Sequence, residues 1–328
     1  MGQATRNRDH ADGSMTGRAS SLPKSQVAGR GASALHRRSL PAIFTVDLCA
    51  GEACIICAMA LGGRSRIGVF DSGVGGLTVL GALMDHVPGA DYLYFGDTAR
   101  LPYGSKSAAT VAHYAVGAVR YLQEQGAELL VIACNTATAL ALDDIKAATD
   151  VEVIGVVEPG AEAAVAASRQ RKVVVIGTEA TIHSHAYQRA LASRGITVRE
   201  KACPLFVPLV EEGWVEHAVT EQVAKIYLSE AFSGDTHDAD VLVLGCTHYP
   251  LIKPLLRRVA PQHVAIVDSA ESTAHEVARQ LGSRGQSEPR AVPVLKFFAT
   301  DSAEKFRTMG TRFLGLAVKD VVHVDLKE

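Results

Sequence analysis

The sequence predicts an α/β protein built from two similar open parallel-sheet α/β domains related by pseudo-twofold symmetry, and three observations carry that expectation. From residue 67 onward, short apolar runs alternate with stretches of helical spacing, the pattern of parallel strands covered by helices. The second half replays the first: Lys172-Val-Val-Val-Ile-Gly177 and the polar turn Thr178-Glu-Ala-Thr181 repeat the order set by Ile67-Gly-Val-Phe70 and Asp71-Ser-Gly-Val-Gly-Gly76. Finally, two apolar runs 112 residues apart end alike, in Val131-Ile-Ala-Cys134-Asn-Thr-Ala-Thr138 and Val243-Leu-Gly-Cys246-Thr-His-Tyr249.

Taken in order, the first strand covers 67–70 and turns through Asp71-Ser-Gly-Val-Gly-Gly76 into a helix. The glycines let backbone come close to another group. Gly73, Gly75 and Gly76 lack G-x-G-x-x-G spacing, and no phosphate-cradling lysine follows. Asp71 alone reads as a helix N-cap. The second strand, 92–95, leads into the long polar loop Gly96-Asp-Thr-Ala-Arg-Leu-Pro-Tyr103-Gly104. A helix over 110–125, a strand over 129–133 and a helix over 137–148 follow. The strand at 153–157 ends in Glu158-Pro159-Gly160, read as a hinge. Domain 1 is therefore expected over 66–161, completed by 270–320, and domain 2 over 162–269. Within domain 2, a helix is expected to open at Leu209-Val-Glu211-Glu212-Gly-Trp214. Strands are expected at 241–244, 264–268 and 295–298.

Residues 1–66 differ from the rest. They hold nine Lys/Arg against four Asp/Glu, whereas residues 67–328 hold 24 against 31, a net charge of −7. Arg, Ser, Gly and Ala dominate, so residues 1–65 are expected to be a disordered extension. Its one apolar patch, 53–61, is too short to span a bilayer. A signal or targeting peptide and a translation start at Met59 are the alternatives there. Cys54-Ile-Ile-Cys57 has zinc-like spacing without a second pair, so it is read as part of the extension and no metal site is expected. Six cysteines in a chain this long, at 49, 54, 57, 134, 203 and 246, form no disulfide framework and favour a reducing, cytoplasmic setting. An acidic body argues against a nucleic-acid partner.

The two cysteine runs carry the chemistry. In open parallel sheets, ligands bind beyond the carboxyl ends of the strands, where both cysteines fall. Asn135, Thr136, Thr138 and Thr247 add hydroxyls and an amide, and helix-opening N–H groups suit a small anion. One such cysteine is most simply a small buried hydrophobe; two in matching contexts, one from each half, suggest a cleft with a thiol on each side and an active site between the domains. That arrangement suits inversion at carbon, in which one face loses a proton to a base and the other gains one from an acid. A thiol, with an ordinary pKa of about 8.5, serves in both roles. Cys203 lacks a polar surround, and His183 and His185 lack a matched base or metal partner, so all three stay outside the site.

Six motifs in order, Asp71-Ser-Gly-Val-Gly-Gly, Pro102-Tyr-Gly, Ala133-Cys-Asn-Thr-Ala, Gly155-Val-Val-Glu-Pro-Gly, Pro208-Leu-Val-Glu-Glu and Gly245-Cys-Thr-His-Tyr-Pro-Leu, resemble the glutamate racemases of the aspartate/glutamate racemase family. The resemblance spans about 67–320. It implies interconversion of L- and D-glutamate without a cofactor, a role in supplying peptidoglycan, and a homodimer. By position, Cys134 and Cys246 become the acid/base thiols, the first serving D-glutamate and the second L-glutamate. Asp71 supports the first thiol, and Glu211 and His248 the second. Asp71, Ser72, Tyr103, Gly104, Asn135, Thr136, Thr247 and His248 match the substrate-binding positions, with Thr181 added; Glu212 is read as a solvated carboxylate. An aspartate or other small-acid racemase, and a non-catalytic small-acid-binding protein, are the remaining readings.

Overall fold

The computed structural model describes residues 64–282 and 292–326. Apart from residues 64 and 65, the extension expected over 1–65 lies outside the described residues, together with Met59 and the Cys54/Cys57 pair.

Two parallel sheets organise the chain. The first contains β1 (Arg66–Asp71), β2 (Asp91–Gly96), β3 (Leu129–Ile132) and β4 (Glu152–Gly155), joined by the late strands β9 (Leu295–Ala299) and β10 (Val321–His323) in the order β10-β9-β2-β1-β3-β4. The second contains β5 (Lys172–Gly177), β6 (Thr197–Ala202), β7 (Val241–Gly245) and β8 (Ala265–Asp268) in the order β6-β5-β7-β8. Every pairing is parallel. The central strands β3 and β7 are buried along their whole length, as continuous Leu/Val/Ile runs require when helices cover both faces.

The helices are α1 (Leu77–His86), α2 (Ala108–Glu124), α3 (Asn135–Ala147), α4 (Val157–Ala167), α5 (Glu179–His183), α6 (Ala186–Ala192), α7 (Phe206–Glu211), α8 (Ala218–Ala231), α9 (Lys253–Val259), α10 (Ser269–Gly282) and α11 (Ala303–Leu314). Among the described residues, no helix is long and apolar enough to cross a membrane. One face of each sheet contributes to a common core: Val69, Leu77, Tyr92 and Val131 belong to the same cluster as Val174, Leu242, Leu244 and Leu255. The opposite faces have separate clusters, around Phe70, Phe95 and Ile132 in the first sheet and Val173, Tyr187 and Val243 in the second.

Besides the unexpected edge strand β10, which lies just past the 270–320 segment expected to complete domain 1, the structure differs from the sequence reading in four places, each with a local cause. Glu158-Pro159-Gly160 does not break the chain but lies in the first turn of α4, where a proline loses no intrahelical bond because those N–H groups have no helical partner. Pro208 likewise sits in the first turn of α7, which therefore begins at Phe206, so Glu211 and Glu212 fall at its C-terminal end instead of its start. Strand β6, Thr-Val-Arg-Glu-Lys-Ala, was not legible because it is a half-exposed edge strand with polar side chains. Asp71 does not cap α1, whose N-cap is Gly76; it accepts the Gly73 N–H at 2.9 Å instead.

Candidate active site

Beyond the carboxyl ends of β1, β3, β5 and β7 lies a cavity of about 440 Å³ walled by both sheets. Cys134 reaches it from the end of β3 and Cys246 from the end of β7; each is only 5% exposed. Ser72, Tyr103, Gly104, Asn135, Thr136, Glu211, Thr247 and His248 also line it. Asp71 and Thr181 are fully buried behind the wall.

Cys134 is the N-cap of α3: its sulfur accepts the Ala137 N–H at 3.4 Å, while the thiol donates to the Ser72 hydroxyl at 3.4 Å. A helix N-terminus favours negative charge on such a group. Burial acts more strongly the other way and, with the Asp71 carboxylate adding repulsion, pushes the thiol up to about 12. Burial also raises Asp71, against the lowering charge of His248. One oxygen of Asp71, Oδ1, is buried without a hydrogen-bond partner among the described residues. Two groups that both resist ionisation thus stand together, and the pair accepts one negative charge far more readily than two.

The second thiol has a different neighbour. Cys246 Sγ lies 4.0 Å from His248 Nδ1, and the far nitrogen, Nε2, lies 3.2 Å from Glu211 Oε1. Burial would strip the proton from this imidazole, but hydrogen bonds to Cys246 and Glu211 outweigh it and push His248 up to about 10. The same bond holds the Glu211 carboxyl below its usual range. The Cys246 sulfur, a protonated imidazole and a carboxylate therefore stand in line on the second wall. The helix that follows β9 supports this line: Phe313 of α11 packs edge-on to His248 at 5.1 Å, and Arg312 donates to the Glu211 carbonyl at 2.9 Å.

Side chains expected to meet a ligand also hold the two halves together. The Asn135 amide accepts from Tyr187 at 2.7 Å and donates to Ser269 at 3.2 Å, joining α3 to two elements of the other half. Thr136, Thr178 and Thr181 bring their hydroxyls within 2.9–3.2 Å of one another. Of the two threonines that follow β5 it is Thr178, the N-cap of α5, and not Thr181 that lines the cavity. Gly75 packs so closely under the second wall that a Cβ there would lie 2.3 Å from Thr247 Oγ1 and 2.5 Å from His248 Nδ1. The glycine turn thus admits the other half of the protein as well as any ligand.

Sequence reasoning missed Asp97, Thr178 and Lys305. Asp97 is fully buried and accepts from Tyr103 at 2.6 Å, Thr300 at 2.8 Å and Arg100 at 2.9 Å, so it fixes the tyrosine that lines the cavity. Burial first, then the Asp97 charge, raise the Tyr103 phenol, which stays a hydrogen-bond donor. Its position at the end of β2 was the available signal. Among the described residues, no group of three or more His, Cys, Asp or Glu could hold a metal ion.

The profile of the Asp/Glu/Hydantoin racemase family matches residues 79–277. The chain is 60% identical over 285 residues to the glutamate racemase of Koribacter versatilis, a match covering 80% of this chain and 98% of that one. This protein belongs to the Asp/Glu/hydantoin racemase family. Another member, the glutamate racemase of Syntrophus aciditrophicus, is 46% identical over 263 residues, covering 79% of this chain and 96% of its own. Among solved racemase structures, that of Francisella tularensis glutamate racemase in complex with D-glutamate superposes with a TM-score of 0.74 at 37% identity, covering 81% of this chain and 99% of that one. The Thermus thermophilus glutamate racemase in complex with β-chloro-D-alanine gives 0.72 at 46%, covering 80% and 98%. The two parallel-sheet domains are those of the glutamate racemase structures in this family.

Proposed function

We propose that this protein interconverts L- and D-glutamate by proton transfer between two thiols, with Cys134 serving D-glutamate and Cys246 serving L-glutamate. The observation that carries the reading is the delivery of one cysteine from each sheet into a single cavity rich in hydroxyl and amide groups. The identity to curated glutamate racemases points to the same substrate.

In the L-to-D direction the Cys246 thiolate removes the α-proton, and the electron pair of the C–H bond passes into the substrate α-carboxylate. The His248 imidazolium stands beside this sulfur, compensating its charge before the proton arrives. Cys134, held as a thiol by burial and by Asp71, then delivers its proton to the opposite face of the α-carbon and becomes the thiolate. Atoms balance without a further reagent: one C–H bond breaks, one forms, and the two sulfurs exchange protonation states. The D-to-L direction runs the same steps reversed. We further propose that the enzyme acts in the cytoplasm as a homodimer and supplies D-glutamate for bacterial peptidoglycan.

The test is circular dichroism of L-glutamate incubated with the purified full chain in deuterated solvent, with NMR of the α-proton. Ellipticity decaying to zero, with deuterium appearing at the α-carbon, is expected. Unchanged optical activity would overturn the proposal, and faster turnover of aspartate than of glutamate would replace the substrate.

A further inference from the structure

The charged side chains on the cavity wall are unevenly distributed. Glu179 and Glu211 carry negative charge, and among the described lining residues Lys305 is the only Lys or Arg. It is exposed, so it stands at the rim where solvent meets the cavity, and no ion pair or hydrogen bond among the described residues claims its ammonium. Its charge adds a small lowering influence on the Glu211 carboxyl, which lines the same cavity. The helix that presents it is anchored at its other end to the chemistry, through the Phe313 and Arg312 contacts with His248 and Glu211. Lys305 is also the third residue of α11, whose N-terminal N–H groups add to the positive potential there.

We infer that Lys305 draws the anionic substrate into the cavity and binds one of its carboxylates at the rim, setting the capture of glutamate and leaving the proton transfers alone. This rests on the substrate proposed above, which carries two carboxylates and one ammonium. The body of the protein, residues 67–328, has a net charge of −7, so an anion approaching it is repelled overall. A single rim cation counters that repulsion over the last stretch of the approach, about 10 Å at 0.1 M salt. Lys305 is thereby a substrate-capturing residue, distinct from Glu211 and His248, which act on the thiol.

The experiment compares wild type with Lys305→Gln, Lys305→Arg and Lys305→Glu, measuring kcat and KM for both enantiomers at several salt concentrations. Lys305→Gln should lower kcat/KM at low salt on the order of 10-fold, through KM, with kcat within about twofold. Lys305→Arg should restore most of the loss, and Lys305→Glu should deepen it. Added salt should shrink the ratio of wild-type to Lys305→Gln kcat/KM, because screening weakens the Lys305 attraction, while the variant alone, left with the net repulsion, should rise with salt. A wild-type kcat/KM and salt slope in Lys305→Gln would overturn the inference. So would a fall in kcat at constant KM, which would place Lys305 behind the Glu211–His248 pair. Calorimetric titration of each variant with L-glutamate separates the two readings. If wild type turns nothing over, the proposed reaction fails, while weaker L-glutamate binding by Lys305→Gln than by wild type still supports capture and equal binding defeats it.

Discussion

Replacing Gly75 with alanine tests whether the fit between the two halves sets the second thiol's geometry. The added Cβ would lie 2.3 Å from Thr247 Oγ1, 2.5 Å from His248 Nδ1 and 2.6 Å from His248 Cε1, whereas ordinary contacts begin at 3.4 Å, so the wall must retreat by about 1 Å. The second wall has little freedom to do so. Thr78, the second residue of α1, shares its hydroxyl proton between the Gly75 and Thr247 carbonyls, each at 3.0 Å, and His248 is held by Glu211 at 3.2 Å. Overpacking of this kind costs about 1–3 kcal/mol, a fall in Tm of roughly 2–12 °C for a chain of this size. A displacement of about 1 Å at His248 should lower kcat on the order of 10²-fold. The assays are thermal unfolding and racemisation of L-glutamate. Gly81→Ala is the control: it lies within α1, and its Cβ would meet only Leu314 at 3.7 Å, so the change should be neutral or stabilising by about 0.5–1 kcal/mol. A Gly75→Ala protein with wild-type Tm and kcat would refute the reasoning, as would equal damage from Gly81→Ala.

Three further outcomes are expected. Removing either thiol should abolish racemisation both ways, while Cys246→Ala retains slow α-proton exchange of D-glutamate in deuterated solvent and Cys134→Ala retains that of L-glutamate; NMR reads this, and near-normal racemisation by either variant would end the two-thiol mechanism. Tyr103→Phe removes one donor to the buried Asp97 carboxylate and should cost about 1.5–3 kcal/mol of stability and raise KM, whereas Asp97→Ala should destabilise more because Arg100 and Thr300 lose their acceptor as well; equal unfolding midpoints for the two would contradict this. His248 is raised from 6.5 to about 10 in the folded chain, so its contribution to stability is complete below pH 6.5 and is lost as pH rises to 10. Wild type should therefore lose more stability than His248→Gln between pH 7 and 10 in denaturant titrations, and parallel curves would show that the proton is not held.

The two cysteines were legible because each ends an unbroken apolar run, and a strand buried on both faces leaves that mark in the sequence. Asn135 was legible for the same reason, as a polar residue at a strand end, whereas Asp71 and Ser72 entered only through the family resemblance, Asp71 by itself reading as a helix N-cap. Lys305 was not legible, because it belongs to an amphipathic helix 59 residues after Cys246, and only the return of β9 to the first sheet brings it to the cavity. Thr178 and Thr181 are equally polar and three residues apart; which one faces the cavity depends on Thr178 capping α5 while Thr181 turns inward. Glu211 lines the cavity but was placed at the wrong end of its helix, which was expected to open after Pro208, whereas that proline occupies its first turn.

The return of β9 to pair with β2 also bears on how the chain is made. Tyr92 and its partner Leu295 are about 200 residues apart, a delay of roughly 10–40 s at the pace of synthesis. For that interval β1, β2, β3 and β4 can associate, and the second sheet can assemble entirely from residues already available, but the outer edge of β2 has no strand beside it. That edge is Tyr-Leu-Tyr-Phe, an apolar row with open N–H and C=O groups, which is the kind of surface that pairs with a neighbouring nascent chain. The ribosome-bound intermediate is thus exposed to aggregation at β2 until β9 emerges, and any change that slows translation between the two strands should lower the soluble yield of a protein whose finished form is unaltered.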